Sequence, residues 1–349
     1  MNRNEKKQTD HRFLKHIVFI CLIILSCSGI TQAKTKLTGQ SIMKFLNIGI
    51  GAKAAGMGDS FINCASDASI FFWNPAGISI LEGNHVFFDQ NSWIADINQY
   101  SFAYTKSLNR FGSLGFGFTY LDYGKIYGTT IDLVAASAGS FEYIETGLLN
   151  VKNYSIGLAY ARSISSSFSV GGLIKYVYSG LDKNTLITED GNRILENNLG
   201  AFAIDFGTRF NTGYKDLTFS MALRNFSRET HYPEMIQGFY LPLIFSLGFS
   251  VDAFGFLPFI PEDHVFTVAF TGLHPMDFLE KANLGFEYSF KNSLYVRGGY
   301  KINYSLEDIS LGFGYVKKLS DNRSLGFDYS FSNMKFFNAV NRYSLVFSF

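Results

Sequence analysis

The chain has 349 residues and a formal net charge of +1, with 47% hydrophobic and 17% charged residues. Soluble domains carry about 25% charged residues, and a near-neutral balance leaves no electrostatic footprint for a nucleic-acid partner. The shortfall is filled by 37 Phe, 20 Tyr and 33 Gly, which favour strands and weaken helix interiors, so a helical membrane protein is disfavoured.

The N-terminus has the order of an export signal. Lys6, Lys7, Arg12 and Lys15 precede an apolar run over residues 17–25, and Thr31-Gln32-Ala33 offers a small-residue cleavage site. A membrane-spanning helix needs ~20 apolar residues, more than this run supplies. Residues 1–33 are therefore expected to be a signal peptide. The competing reading is a lipoprotein signal acylated at Cys27, against which Leu25 is bulky for its position. Cleavage after Ala33 also removes Cys21 and Cys27, which leaves Cys64 and excludes an internal disulfide. Cys64 sits among Ala and Ser and reads as a small buried residue.

Residues 34–83 differ in texture from all that follows. The run Ile48-Gly49-Ile50-Gly51-Ala52-Lys53-Ala54-Ala55-Gly56-Met57-Gly58 is followed by Asp67-Ala68-Ser69-Ile70-Phe71-Phe72-Trp73-Asn74-Pro75-Ala76-Gly77. Pro75 biases Asn74 away from helix and Gly77 adds a break. Short helices and tight turns are expected here. They carry too many Ala and Gly for lipid-facing strands and are too apolar for a free tail.

From Asn84 onward the pattern alternates. Leu114, Phe116, Phe118 and Tyr120 alternate with Gly115, Gly117 and Thr119, and the same holds for Leu284–Phe290, Ile309–Tyr315 and Leu325–Phe331. Period-2 alternation means strands with one apolar and one small or polar face. A soluble β-sandwich also alternates, but so many large aromatics on one face would overfill a core about 10 Å thick. A transmembrane antiparallel β-barrel places such groups toward lipid and small or polar ones inward. Residues 84–349 are thus expected to form an all-β barrel of about 14 strands, beginning near residues 84, 98, 112, 150, 167, 196, 216, 238, 263, 281, 293, 308, 323 and 338. The long connections would be 121–150, 181–196 and 227–238, outside the cell, with short periplasmic turns opposite them. The segment 121–150 has room for an extra hairpin, and the apolar stretch 253–261 is long for a periplasmic turn. At the end of the chain, Tyr343, Leu345, Phe347 and Phe349 share one face of a final strand. That face resembles the signal read by the bacterial barrel-assembly machinery, which becomes an expected partner along with outer-membrane lipid.

No catalytic constellation is visible, so no enzyme activity, cofactor or metal is assigned. His85, His231, His264 and His274 share no ligand spacing. Gly51-Ala52-Lys53-Ala54-Ala55-Gly56 begins like a phosphate loop, but Met57-Gly58 stands where Lys and Ser or Thr should follow.

The block from Phe45 to Gly58, with Asp67-Ala68-Ser69 and Trp73-Asn74-Pro75-Ala76-Gly77, resembles the start of the PorV/PorQ family. Those outer-membrane barrels are distantly similar to the FadL transporters. The resemblance implies a barrel with an N-terminal hatch in the lumen, in which Trp73, Asn74, Pro75, Ala76 and Gly77 match the hatch motif. It also implies a protein-binding role in type IX secretion, with translocon components or cargo as partners. Two other classes stay open: a FadL-like channel for hydrophobic small molecules, and a structural barrel. Inward charges at Lys175, Arg224, Glu287 and Arg297 count against a greasy conduit. Val134-Ala135-Ala136 and residues 141–144 place apolar groups in an outer loop, where a partner or the barrel's own rim would cover them.

N-terminal sequencing of the membrane form should find Lys34 as the first residue; a chain starting at an acylated Cys27 would establish the lipoprotein route instead.

Overall fold

The computed structural model describes residues 41–131, 143–188, 191–232, 237–257 and 263–349, and all structural statements concern these. The signal-peptide reading and Val134-Ala135-Ala136 lie outside the described residues, as do Phe141 and Glu142.

Residues with alternating faces become strands. In chain order, β1 is Asn84–Ser92, β2 Asn98–Ser107, β3 Ser113–Asp122, β4 Ile126–Ile131 and β5 Tyr143–Leu149. Then come β6 Lys152–Ser163, β7 Phe168–Thr188, β8 Gly191–Asn211, β9 Thr218–Ser227 and β10 Ile244–Asp252. The last six are β11 His264–Pro275, β12 Lys281–Phe290, β13 Leu294–Ile302, β14 Glu307–Ser320, β15 Arg323–Met334 and β16 Val340–Ser348. All but β4 and β5 pair with their neighbours into one closed antiparallel barrel of 14 strands. Closure comes from β1 on β16, in register from His85↔Ser348 to Ser92↔Asn341. Past the strand ends, Asn84 N donates to Phe349 O at 2.8 Å and Phe349 N returns the bond to Asn84 O at 2.9 Å. A ring has no unpaired edge, which a sheet in hydrocarbon requires.

The alternation sorts the two faces. Leu311, Phe313 and Tyr315 are exposed on the outside of β14, while Ser310, Gly312 and Gly314, which alternate with them, are buried on the inside. Leu158 and Tyr160 on β6 and Leu325 and Phe327 on β15 also point outward. Among the described residues no helix is long and apolar enough to cross a membrane; the crossing elements are strands.

Residues 41–82 occupy the space inside the ring. They form one turn of α-helix, α1 (Ala52–Gly56), and 3₁₀ turns at Lys44–Asn47, Ala68–Phe72 and Pro75–Ile80. Asp67 and Asn74 start the last two turns, accepting from Ser69 N at 2.8 Å and Ala76 N at 3.1 Å. Each supplies an acceptor that the turn itself lacks. Met57, Phe61, Ile70, Phe71, Trp73 and Ile78 share one buried cluster with the inward residues Phe87, Ala103, Ala159, Ala161, Leu173 and Ala269 of the wall. A second cluster joins Met43 and Phe45 to Leu121, Val177, Leu199 and Leu241.

The inward glycines are the sockets for this segment. A Cβ on Gly117 would run into the Phe71 ring, and one on Gly285 would lie 2.6 Å from Met57 O. Gly56 of α1 approaches Gly312 so closely that a Cβ on it would lie 3.0 Å from the Gly312 Cα. The small face of each strand therefore reflects a wall against which backbone packs.

The barrel strands start within six residues of those expected, the largest differences being at β8 and β10, and the extra hairpin in 121–150 exists as β4–β5. One expected loop is not a loop. Residues 181–188 continue β7 and residues 191–196 belong to β8, paired from Lys183↔Glu196 to Thr188↔Gly191. Thr185, Leu186, Ile187 and Thr188 are good strand formers, and a ladder extends beyond the bilayer wherever its residues allow. The expected 227–238 connection runs over residues 228–243, with Thr230 bridged to Phe239. In the apolar stretch 253–261, Phe254 turns back onto Phe266 at 5.4 Å.

Gly117→Val should destabilise the folded barrel by about 1–3 kcal/mol, the cost of overpacking. Adding Phe71→Ala should relieve it, so that the double variant unfolds no earlier in a heat-modifiability gel than Phe71→Ala alone.

Candidate functional site

The inward charges come first, because a charge inside a barrel must find a partner. All four that the sequence places inward do so. Lys175 Nζ on β7 reaches Asp205 Oδ2 on β8 at 2.7 Å. Arg297 on β13 donates from Nε to Glu287 at 2.6 Å and from Nη1 to Asp328 at 2.5 Å. Lys53 of α1 joins that group, 3.3 Å from Glu287. Arg224 on β9 lies 5.0 Å over the Trp73 ring and donates to Phe72 O at 3.3 Å. Further along the lumen, Lys301 holds Asp59 at 2.5 Å and also pairs with Glu307. These contacts consume the charges, and several of them tie the inner segment to the wall.

Asp205 does more than pair with Lys175. The β8–β9 register slips between Ile204 and Phe206, so Asp205 sits in a bulge. Its Oδ1 accepts from Asn225 N at 2.6 Å, in place of a ladder bond. Asn225 has φ 63, the left-handed region that Asn tolerates, and its Nδ2 donates to Pro242 O at 2.9 Å. Beyond the bulge, β9 stops at Ser227, opposite Ala203, while β8 runs on to Gly191. Residues 191–202 of β8 thus have no strand partner on that side among the described residues. No sequence signal marks this break except an Asp and an Asn at inward strand positions.

A cavity of about 40 Å³ lies against the same part of the wall. The inner segment contributes Phe45, Leu46, Ile48, Ile50 and Phe71 to Trp73; the wall contributes Gln99, Leu173, Lys175, Asp205, Arg224 and Asn225 among others. One side is apolar and the other polar, with the wall cations already partnered. A cavity holding benzene is on the order of 150 Å³, so this one must widen before it admits even a small ring.

The motif residues sit in the middle of this packing. Trp73 is buried and donates from Nε1 to Ile50 O at 2.9 Å. Asn74 is 0% exposed; its Nδ2 donates to Ile62 O in the segment and to Thr208 O in the wall, each at 3.1 Å. Pro75 opens the following turn, Ala76 is buried, and Gly77 lies so near Ile70 that a side chain there would collide. At the chain end, Tyr343, Leu345 and Phe349 are exposed on the outer face, and Phe347 stacks on Phe349 at 5.1 Å.

The phosphate-loop decoy is occupied by the protein itself. Gly51 N donates to Asp89 at 3.3 Å and Ala52 N to Ser344 Oγ at 2.8 Å, and Ser344 donates to Asp89 at 2.6 Å. Among the described residues no group of His, Cys, Asp and Glu is placed to hold a metal ion. His264 instead meets Tyr288 Oη at 2.7 Å and His85 meets Ser348 Oγ at 2.9 Å. Burial pushes the Cys64 thiol up to about 12, which makes it a poor nucleophile.

The profile of an uncharacterised protein family, UPF0164, matches residues 23–213. No curated protein matches the sequence. Solved structures match over most of the chain at low identity. The Pseudomonas putida toluene transporter TodX is 12% identical, with a TM-score of 0.55 over 90% of this chain and 99% of that one. The Ralstonia pickettii toluene transporter TbuX is 12% identical, with a TM-score of 0.52 over 86% and 97%. The CymD monoaromatic hydrocarbon channel is 12% identical, with a TM-score of 0.50 over 86% and 96%. Such a likeness is one of fold: the chain shares the barrel architecture of these three proteins.

Asn74→Ala strips donors or acceptors from Ile62, Thr208 and Ala76 together. It should cost roughly 2–4 kcal/mol, two or more buried partners left unmade, read as a lower unfolding temperature in detergent. Maleimide at pH 8 should label Cys64, which is half-buried, at least tenfold faster in urea-unfolded than in native protein, on the order expected for a thiol held protonated; equal rates would show the inner segment to be open.

Proposed function

The chain belongs to the UPF0164 family, and we propose that it works as an outer-membrane channel for small hydrophobic molecules, gated by the segment inside its lumen. The observation that carries this is the meeting of an internal cavity with a break in the wall. The cavity is apolar on the side of the inner segment and abuts the β8–β9 bulge, above which β8 lacks a strand partner. A solute entering from the outer mouth would lie on Phe45, Leu46 and Phe72, then leave sideways where Asp205 and Asn225 replace the ladder. Residues 41–82 act as the hatch, and Asn74 and Trp73 hold it in the closed arrangement.

The objection from inward charge loses its force once the partners are counted. Lys175, Glu287 and Arg297 are neutralised within the lumen, and Arg224 is stacked on Trp73. Paired charges do not demand a charged solute. The fold neighbours point the same way: two are described as toluene transporters and one as a monoaromatic hydrocarbon channel.

A second reading keeps the PorV/PorQ resemblance and a protein-binding role beside type IX secretion. It draws support from β4–β5, where Tyr127, Tyr143, Ile144 and Leu148 are exposed above the barrel. The cavity and the wall break have no task in that reading, so the conduit is preferred.

Cells carrying the barrel should take up toluene at least several-fold faster than cells without it. Ile48→Trp, which fills the cavity from its apolar side, should return uptake to the level of cells lacking the barrel. Uptake that is the same with and without the barrel, alongside lost secretion on deletion, would favour the second reading.

A further inference from the structure

One inward arginine stands apart from the paired charges. Arg342 on β16 is 1% exposed, yet no carboxylate among the described residues forms an ion pair with it. Its Nη1 donates to Ser332 Oγ at 3.2 Å, while Nε and Nη2 have no partner. Nε and Nη2 form one edge of the guanidinium, the fork that grips two oxygens of one carboxylate or phosphate. The unused part of the group is therefore a complete oxyanion-binding edge.

Its neighbours on the adjoining strands are unsatisfied in the same way. The registers Ser330↔Arg342, Asn91↔Arg342 and Asn91↔Gln99 put four side chains at one level across β15, β16, β1 and β2. Ser330, Asn91 and Gln99 are each 0% exposed. Ser330 Oγ, one strand from Arg342, and Gln99 Nε2, two strands away across Asn91, have no partner; Asn91 Oδ1 between them is an unpartnered acceptor. Asn91 Nδ2 donates to Gln99 Oε1 at 3.0 Å and sets the direction of that amide. The nearest acids are engaged elsewhere: Asp89 with Ser344 and Gly51, and Asp59 with Lys301. Trp93, in the outer β1–β2 turn, covers the site with its ring 5.5 Å from the guanidinium carbon.

We propose that Arg342, Ser330 and Gln99 form an oxyanion site in the outer half of the lumen, and that it takes a carboxylate. Gln99 also lines the apolar cavity. A ligand with a carboxylate on Arg342 would thus have its apolar body directed to Ile48 and Phe72. The site itself stands without the conduit reading; its use as the anchor of a transported molecule rests on that reading.

Trp93 supplies the readout. Benzoate added to the detergent-solubilised barrel should change tryptophan fluorescence saturably, and benzyl alcohol, the neutral counterpart, should not. Arg342→Gln should weaken the benzoate response by at least about tenfold, the scale of a lost charge-assisted pair. Should that variant fail the heat-modifiability check for folding, Gln99→Leu and Ser330→Ala serve instead, each weakening binding several-fold. Competition by inorganic phosphate would support a site for free oxyanions; benzoate binding indifferent to phosphate would support a ligand held by both head and body. No saturable response in the folded barrel, or an equal response in the variants, overturns the proposal. Toluene uptake measured alongside keeps the two claims apart. Uptake without benzoate binding removes the site and leaves the conduit; binding without uptake does the reverse.

Discussion

The structure depends on one constraint: a closed ring of strands in hydrocarbon has only its inner face for polar groups. The strands carry most of their large apolar residues outward, so charge and hydrogen-bonding capacity accumulate inside. Glu287 and Arg297 on neighbouring strands, with Asp328 reached across β14, are the direct result. Such groups cannot stand dry and unpaired, and the segment at residues 41–82 supplies part of what they need. Lys53 completes the Glu287 and Arg297 group, and Asp59 answers Lys301.

The same segment explains the glycines of the wall. A lumen filled by side chains alone would need bulk on the inner face. Here the filling is backbone and short turns, so the wall gives way instead. Gly117 under Phe71 and Gly312 against Gly56 are two such places. The packing is complementary on both sides, and that makes the closed arrangement a discrete state. Movement of the segment would break buried ion pairs and hydrogen bonds together.

The weakest part of the wall lies where the ladder is interrupted. At Asp205 a side chain does the work of a backbone acceptor, and Asn225 adopts a left-handed conformation to receive it. Bulges of this kind re-aim or terminate pairing beside functional sites. The cavity beside it is small, about 40 Å³. Gln99, which lines the polar side of that cavity, lies two strands from the unpartnered edge of Arg342.

Much of the fold was legible in the sequence, because lipid exposure imposes a strict local rule. Leu311, Phe313 and Tyr315 had to alternate with Ser310, Gly312 and Gly314, and each outward position could be read without knowing its neighbours. The break at Asn74-Pro75 was legible for the same reason, since proline acts on its own residue and the one before. Strand length was not: β7 runs through residues 181–188 and β8 through residues 191–196 because they pair with each other, and pairing is invisible in one segment. The inward charges were visible as charges, but their partners lie tens to hundreds of residues away, so their pairing could not be seen. Asp205 and Asn225 become a wall break, and Arg342 an open guanidinium edge, only when register sets particular strands side by side. The sequence by itself determined which face of each strand meets lipid; the tertiary structure decided which polar groups meet each other, because that depends on contacts between distant parts of the chain.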